Sequence, residues 1–277
     1  VDSAAGALVG LSLLSDRNDR LATARKLTDA RERRRSGRFL AEGAPAVREA
    51  LARPGAVAEL FVTEAAGRAH EALLDAARQA GVRIAMISDR AAKALSETVS
   101  PQGLVAVCID PSVPVSGVVD GARLVAGLVA ANDPGNAGTI VRVADAAGAD
   151  GVVLTSGSVD LLNGKAVRAT AGSLFHIAVG VDVPVADLMA AARSGGLQIL
   201  ATTGGGADDL DRLLDSGALA APTLWLFGNE ARGLPADVLA AADHTVRVPI
   251  YGSAESLNLA AAASICLYAS ARAQRVI

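Results

Sequence analysis

Three polar stretches in the second half of the chain hold the side chains best placed for chemistry. Residues 132–142 read Asn-Asp-Pro-Gly-Asn-Ala-Gly-Thr-Ile-Val-Arg. Pro and Gly do not sit comfortably inside a helix, so the stretch opens as a loop. The run that follows reads as a helix closed by Gly148. Residues 226–235 and 248–259 carry Glu230, Ser256 and Asn258 in Gly-bearing surroundings. Each stretch follows an apolar run, as does the Thr-Thr-Gly-Gly-Gly of residues 202–206. Continuous apolar runs of this length are expected of parallel strands covered on both faces, and such sheets collect ligands at the carboxyl ends of their strands. That is the physical reason to read 132–138, 202–206, 228–234 and 249–257 as parts of one site.

Other chemistries lack their residues. No Gly-x-Gly-x-x-Gly opens a helix, no phosphate loop ends in Gly-Lys-Ser/Thr, and no Gly-x-Ser-x-Gly elbow occurs. His70, His176 and His244 have no ligand spacing, so no metal is expected. The glycine run at 202–206 reads either as a phosphate cradle or as a flexible turn. Cys108 and Cys266 lie in apolar surroundings and form no disulfide framework, which fits a reducing cytoplasm.

The elements that position these loops alternate. In the second half, strands are expected at 123–131, 151–155, 176–181, 197–201, 223–227 and 245–248, separated by helices, with a long helix from residue 255 to about 272. In the first half, strands at 39–43, 57–63, 82–87 and 104–109 alternate with helices at 44–52, 68–80 and 89–95. Both halves are therefore α/β layers. Residues 110–117, with two prolines, two serines and a glycine, mark the boundary. The expected domains are 16–110, a linker at 111–121, and 122–277.

The chain of 277 residues is 51% hydrophobic but 3% aromatic, so Ala, Val and Leu must fill its cores. Its net charge is −3, which excludes a globally basic nucleic-acid binder. Residues 20–38 are the exception. They read as one helix with a narrow apolar stripe at Leu21, Ala24 and Leu27 and a basic remainder. Arg25, Lys26, Arg33, Arg34, Arg35 and Arg38 there are candidates for RNA phosphate contact, the alternative being a solvated face. The apolar run at 4–14 has no preceding Lys or Arg and no Ala-x-Ala after it, and it is too short to span a bilayer. Residues 1–15 are expected to be a frayed or expression-derived N-terminus, and no membrane partner is expected.

Taken together, the segments 132–142, Phe-Gly-Asn-Glu-Ala-Arg-Gly-Leu-Pro at 227–235, and Val-Pro-Ile-Tyr-Gly-Ser-Ala-Glu-Ser-Leu-Asn-Leu at 248–259 resemble, in order, the three signature motifs of the SpoU (TrmH) RNA ribose methyltransferases of the SPOUT class. Asn-Gly-Lys-Ala-Val-Arg-Ala-Thr-Ala-Gly-Ser-Leu-Phe at 163–175 is also similar to the family. The first half, with Arg-Arg-Ser-Gly-Arg-Phe-Leu-Ala-Glu-Gly at 34–43, resembles the ribosomal-protein-like α/β sandwich that binds RNA in many such enzymes. The two-domain layout is most similar to rRNA members of the thiostrepton-resistance and avilamycin-resistance types.

The resemblance implies a parallel-sheet domain with a deep trefoil knot, a homodimer, S-adenosylmethionine as donor, and methylation of a ribose 2′-oxygen, in rRNA rather than tRNA. It implies that Arg142 is catalytic and that Asn136 holds the RNA phosphate or ribose. Glu230 would order the arginine or the substrate, and Ser256 and Asn258 would orient substrate and loops. Thr202, Thr203, Gly228, Val248, Ile250 and Leu257 would form the cofactor pocket, and Lys165 and Arg168 would add RNA contacts. Each has a plainer alternative. Arg142 would be a surface arginine, about 200° round the helix from Ile140. Asn136 would cap a helix starting near Ala137, Glu230 would pair with Arg232, and Ser256, more readily than Asn258, would cap the last helix. The apolar pocket residues would be core, and Lys165 and Arg168 a solvated face. For the whole chain, the alternatives are a tRNA enzyme, an inactive RNA-binding module, or a nucleotide-binding enzyme with an ordinary open sheet.

Overall fold

A computed structural model describes residue 8 and residues 10–275. The described chain divides into two compact units: residues up to Pro111 together with Leu162–His176, and Ser112–Leu161 together with Ile177 onward.

The first unit begins with α1 (Asp19–Lys26), α2 (Ala30–Ser36), β1 (Arg38–Glu42), α3 (Ala44–Ala52) and β2 (Val57–Val62). It continues with α4 (Glu64–Ala69), α5 (Glu71–Gln79), β3 (Arg83–Met86), α6 (Asp89–Leu95) and β4 (Leu104–Ile109). The sheet order is β1-β4-β2-β3, with β4 antiparallel to both neighbours and β2 parallel to β3. The stripe Leu21, Ala24 and Leu27 is buried against Leu40, Phe61, Val105 and Val107 of this sheet.

Two expectations change here. The single helix over 20–38 is two helices, because Asp29 adopts extended backbone and its carboxylate accepts the N–H groups of Arg31 and Glu32, starting α2 afresh. Residues 1–7 and 9 of the expected frayed terminus lie outside the described residues. Ser12 to Leu14, however, run parallel to β3: Leu14 N–H donates to Met86 O at 2.9 Å and Met86 N–H to Ser12 O at 3.2 Å. Leu14 then buries its side chain in the core.

The second unit comprises α7 (Ser116–Val119), β5 (Leu124–Leu128), α8 (Pro134–Ala147) and β6 (Gly151–Thr155). After α9 (Gly164–Thr170), which belongs to the first unit, come β7 (Ala178–Val183), α10 (Val185–Ser194), β8 (Gln198–Thr202), β9 (Asp208–Asp209) and α11 (Leu210–Asp215). It ends with β10 (Thr223–Phe227), α12 (Ala236–Ala241), β11 (His244–Arg247) and α13 (Leu259–Arg275). The sheet order is β7-β6-β5-β10-β8-β11-β9, and every pairing is parallel. Strands β5, β6 and β10 are buried at every position, as their unbroken apolar sequences require. One face packs Val125, Val153, Ile199, Leu224 and Leu226 against Leu188, Met189 and Val238. Trp225 is fully buried, and its indole N–H donates to Ser270 Oγ of α13 at 2.9 Å.

The linker and one helix also depart from the sequence reading. Within the expected linker, α7 is packed on β6 and β7, with Val118 and Val119 buried. Residues 162–176, expected inside the second domain, join the first unit. There α9 contacts β1, Phe175 stacks on Phe39 with ring centroids 6.1 Å apart, and His176 Nε2 lies 3.1 Å from Glu49 Oε2. Aromatic contact and burial of this kind outweigh chain proximity.

Candidate active site

The first motif leaves β5 through a strained turn. Ala130 has φ 50°, in the left-handed region that costs a non-glycine residue roughly 1–2 kcal/mol. It is held there from both sides: its N–H donates to Thr155 Oγ1 at 3.1 Å, and its carbonyl accepts the Asn229 side-chain amide at 2.7 Å. Helix α8 then starts at Pro134. Asp133 is its N-cap, accepting the Asn136 N–H at 2.7 Å, and Gly148 closes it in the left-handed conformation. Asn136 is therefore a third-position helical residue rather than the cap, and its side chain is available for other bonds.

The second motif is a tight ring. Asn229 and Gly233 exchange backbone hydrogen bonds of 3.1 and 2.8 Å. The buried Asn229 side chain accepts from the N–H groups of Ala231 and Arg232. A Cβ added at Gly228 would lie 2.4 Å from Gly233 C and 2.5 Å from Leu234 N, so only glycine fits this close backbone approach. The ring presents Glu230 to the first motif. Its carboxylate accepts the backbone N–H groups of Asn132 at 3.2 Å and Asp133 at 3.3 Å, and the Asn136 amide at 3.1 Å. It pairs with these groups and not with Arg232.

The third motif completes the clasp. Asn258 caps α13, accepting the N–H groups of Ala260 and Ala261, and donates its amide to Asn136 Oδ1 at 3.1 Å. The cap is thus Asn258 rather than Ser256, and α13 starts at Leu259 rather than 255. The bonds also fix the Asn136 amide orientation, since its NH₂ must face a carboxylate and its oxygen a donor. Glu230, Asn136 and Asn258 form one continuous network across all three motifs.

Burial works to raise the Glu230 carboxyl, but hydrogen bonds from the Asn136 side chain and from the backbone of Glu230, Asn132 and Asp133 outweigh it and hold the group below the ordinary value of 4.5. A depressed folded-state value means the clasp's contribution is fully present above about pH 4.5 and is lost as pH falls through the folded value. The Asn132 amide resonance is expected to follow the Glu230 carboxylate below pH 4.5 in the native protein and to lose that step in Glu230→Gln. Titration at or above 4.5 would show the carboxylate to be unbonded.

A cleft of about 440 Å³ lies beside the clasp, in the size range of small-ligand sites. Thr202, Thr203, Gly228, Val248, Ile250 and Leu257 all line it, as do Ser256, Glu230 and Glu255. Ile250 and Leu257 are 39% and 37% exposed, which makes them cleft walls rather than core. The Thr202 hydroxyl is spent on the Leu226 carbonyl at 2.9 Å. The lining contains two carboxylates and no Lys or Arg. Ser256 has no hydrogen-bond partner among the described residues.

Arg142 stands apart from this network. Ile140, Ala144 and Ala147 of α8 are buried and Arg142 is exposed, with no hydrogen bond or ion pair to any described residue. Of the basic candidates in the first unit, Arg25, Lys26, Arg34 and Arg38 are exposed, while Arg35 is exposed but bonded to Glu32 at 2.7 Å. Arg33 is a correction. It is 5% exposed and donates to the Leu27 and Thr28 carbonyls at 2.8 Å, satisfying the end of α1 instead of meeting RNA. Lys165 is exposed, and Arg168 is half-buried with Nη1 3.8 Å from Glu42 Oε2.

Sequence reasoning missed Asn229, whose signal was an Asn directly after a Gly that ends an apolar strand. Among the described residues no group of His, Cys, Asp and Glu could hold a metal, and no helix is long and apolar enough to cross a membrane. Burial pushes both free thiols upward, that of Cys266 to about 12, which suits neither for nucleophilic work.

Comparison with known proteins matches both units to named families. The SpoU rRNA Methylase family profile matches residues 123–268, and the MRM3-like substrate binding domain matches residues 18–106. The chain is 36% identical over 254 residues to the 23S rRNA (guanosine(2553)-2′-O)-methyltransferase RlmP of Bacillus subtilis, covering 92% of this chain and 96% of that one. Among solved structures, it is similar to the AdoMet-bound rRNA methyltransferase from Sinorhizobium meliloti, with a TM-score of 0.82, 29% identity, and coverage of 95% and 98%. It is likewise similar to the SpoU methyltransferase AviRb from Streptomyces viridochromogenes, with a TM-score of 0.79, 30% identity, and coverage of 93% and 98%. The parallel sheet, the three clasped loops and a family match over more than half the chain agree, and the chain belongs to the SpoU rRNA methylase family.

Proposed function

We propose that the protein methylates a ribose 2′-hydroxyl of ribosomal RNA, 23S rRNA above tRNA, with S-adenosylmethionine as donor. The observation that carries this reading is the Glu230–Asn136–Asn258 network, which draws three separate motifs to the edge of one ligand-sized cleft in a SpoU chain. The cleft's chemistry suits the donor. Two carboxylates and no cation favour a ligand bearing a sulfonium and an ammonium, and disfavour a polyphosphate. Val248, Ile250 and Leu257 would wall the adenine, while Gly228 brings backbone close and Thr203 and Gly204 border the opening. Bound there, the sulfonium supplies an electrophilic methyl group.

The chain's own residues do the rest. Asn136, held by Glu230 and Asn258, positions the ribose or its phosphate, and Ser256 has a hydroxyl to spare for the substrate. Arg142 supports the negative charge that develops on the 2′-oxygen as its proton leaves. Because Arg142 makes no contact with the network of its own chain, we assign it to the cleft of a second copy, which makes the working unit a homodimer. Among the described residues, five of the eight exposed large hydrophobic residues fall between 250 and 268: Ile250, Tyr251, Leu257, Ile265 and Tyr268. Ile265 and Tyr268 share one exposed face of α13, and a concentration of this kind marks an interface. The same reading carries a knotted second domain, division of the chain near 110–122 into RNA-holding and catalytic parts, RNA contacts from Lys165 and Arg168, and a cytoplasmic location.

Purified protein incubated with methyl-labelled S-adenosylmethionine and 23S rRNA is expected to place label on one nucleotide, whose 3′ linkage then resists alkaline cleavage. Label on a base, or no cofactor binding by calorimetry, would overturn the reading.

A further inference from the structure

A second cleft, of about 420 Å³, lies wholly within the first unit, between α1 and the sheet. The strand register explains its lining. Arg38 faces Ile109, Leu40 faces Val107, Val107 faces Glu59, and Glu59 faces Arg83. Cross-strand partners share a face, and residues two apart along a strand do too. Arg38 and Arg83 therefore project from opposite edges of the four strands on one face, roughly 16 Å apart at the backbone from three strand spacings and a two-residue offset along β1. Glu59, the cross-strand neighbour of Arg83, gives its Oε1 to Arg20, whose Nε donates at 2.6 Å. Glu32 is likewise engaged by Arg35. Arg38 and Arg83 are left exposed, with no partner among the described residues. The apolar part of the lining is Ala24, Leu27 and Val107.

We propose that this cleft receives one unpaired nucleotide of the RNA, its two flanking phosphates on Arg38 and Arg83 and its base between the apolar lining and the Arg20–Glu59 pair. The inference rests on the RNA substrate proposed above and deepens it. Two free guanidinium groups flank an open cleft, and each can reach inward to one of the two phosphates of a single nucleotide. A guanidinium held flat by a carboxylate offers a stacking plane, and Glu59 retains an oxygen for a base N–H. A cavity of this size admits a splayed base and excludes a duplex.

The test uses the full chain and a labelled single-stranded rRNA oligonucleotide, with affinity followed by fluorescence anisotropy across salt concentrations. Arg38→Ala/Arg83→Ala is expected to weaken binding 10- to 100-fold and to reduce the slope of log affinity against log salt by about 1.4, the loss of two single-strand phosphate contacts. Thr23→Trp, which fills the cleft from an exposed position of α1, is expected to weaken binding without changing that slope. Arg90→Ala, an equally exposed arginine outside the cleft, should change neither by more than 2-fold. S-adenosylmethionine affinity should be unchanged in all three. If Arg90→Ala matched the double variant, or Thr23→Trp were neutral, the cleft would not be the site. The methylation assay on the unaltered protein separates the cases: if that protein methylates rRNA while the cleft variants bind as well as it does, this inference alone fails.

Discussion

Arg142→Ala is expected to slow methyl transfer by about 10³-fold, the upper range for removing one preorganised oxyanion donor, with the fold and S-adenosylmethionine affinity intact. The guanidinium is exposed, and removing it breaks no hydrogen bond or ion pair to a described residue. Stability should move by no more than about 0.5 kcal/mol, as for ordinary surface substitutions. Whether the group works by charge or by accepting a proton is decided by Arg142→Lys. An arginine titrates above about 12 and a lysine near 10.4. A base would let the lysine variant overtake the native protein as pH rises, whereas a charge-stabilising group would leave it slower at every pH because the planar fork is lost. Undiminished transfer by Arg142→Ala would remove the arginine from the mechanism.

The fold was legible where one local signal dominated. The strands Leu104–Ile109, Gly151–Thr155 and Thr223–Phe227 are apolar runs between turn residues, and the parallel sheet of the second unit follows from burial on both faces. Legibility failed where two local signals competed or where a distant contact decided. In residues 20–38 the apolar stripe of Leu21, Ala24 and Leu27 ends before Asp29, whose cap starts a second helix with no apolar stripe of its own. The pairing of Ser12–Leu14 with Met86 and the docking of α9 on β1 are tertiary facts that neither segment's composition announces.

The candidate site divides in the same way. Its members could be named because their types and order resemble a family. The bonds among them could not, since Asn136, Glu230 and Asn258 are 94 and 122 residues apart in sequence. One signal was available and misjudged. Asp133 followed by Pro134 is a cap with proline at the first helical position, and it places Asn136 inside the first turn. Arg33 was misjudged for a physical reason: an arginine can satisfy carbonyls at a helix end as readily as phosphates, and only burial tells the two apart.

Gly228→Ala is expected to abolish cofactor binding, and its combination with Arg142→Ala tests whether the site is shared. The added methyl would have to displace Gly233 and Leu234 backbone from 2.4–2.5 Å, and no side-chain rotation relieves that clash. The ring at 228–234 opens, Glu230 leaves Asn132, Asp133 and Asn136, and the cleft loses its wall. Each variant alone is expected to be inactive. In a mixed dimer, however, the cleft of the Arg142→Ala chain is intact and meets the Arg142 of the Gly228→Ala chain. Random exchange makes half the dimers mixed, with one working site in two, so the mixture should recover about a quarter of native activity if the dimer is a closed two-fold pair. Differently tagged subunits and native mass spectrometry establish that mixed dimers are present. Their presence without recovery would place Arg142 at the cleft of its own chain. The exposed, unpaired position of Arg142 would then need a movement of α8 or of the 249–258 loop to bring the two together.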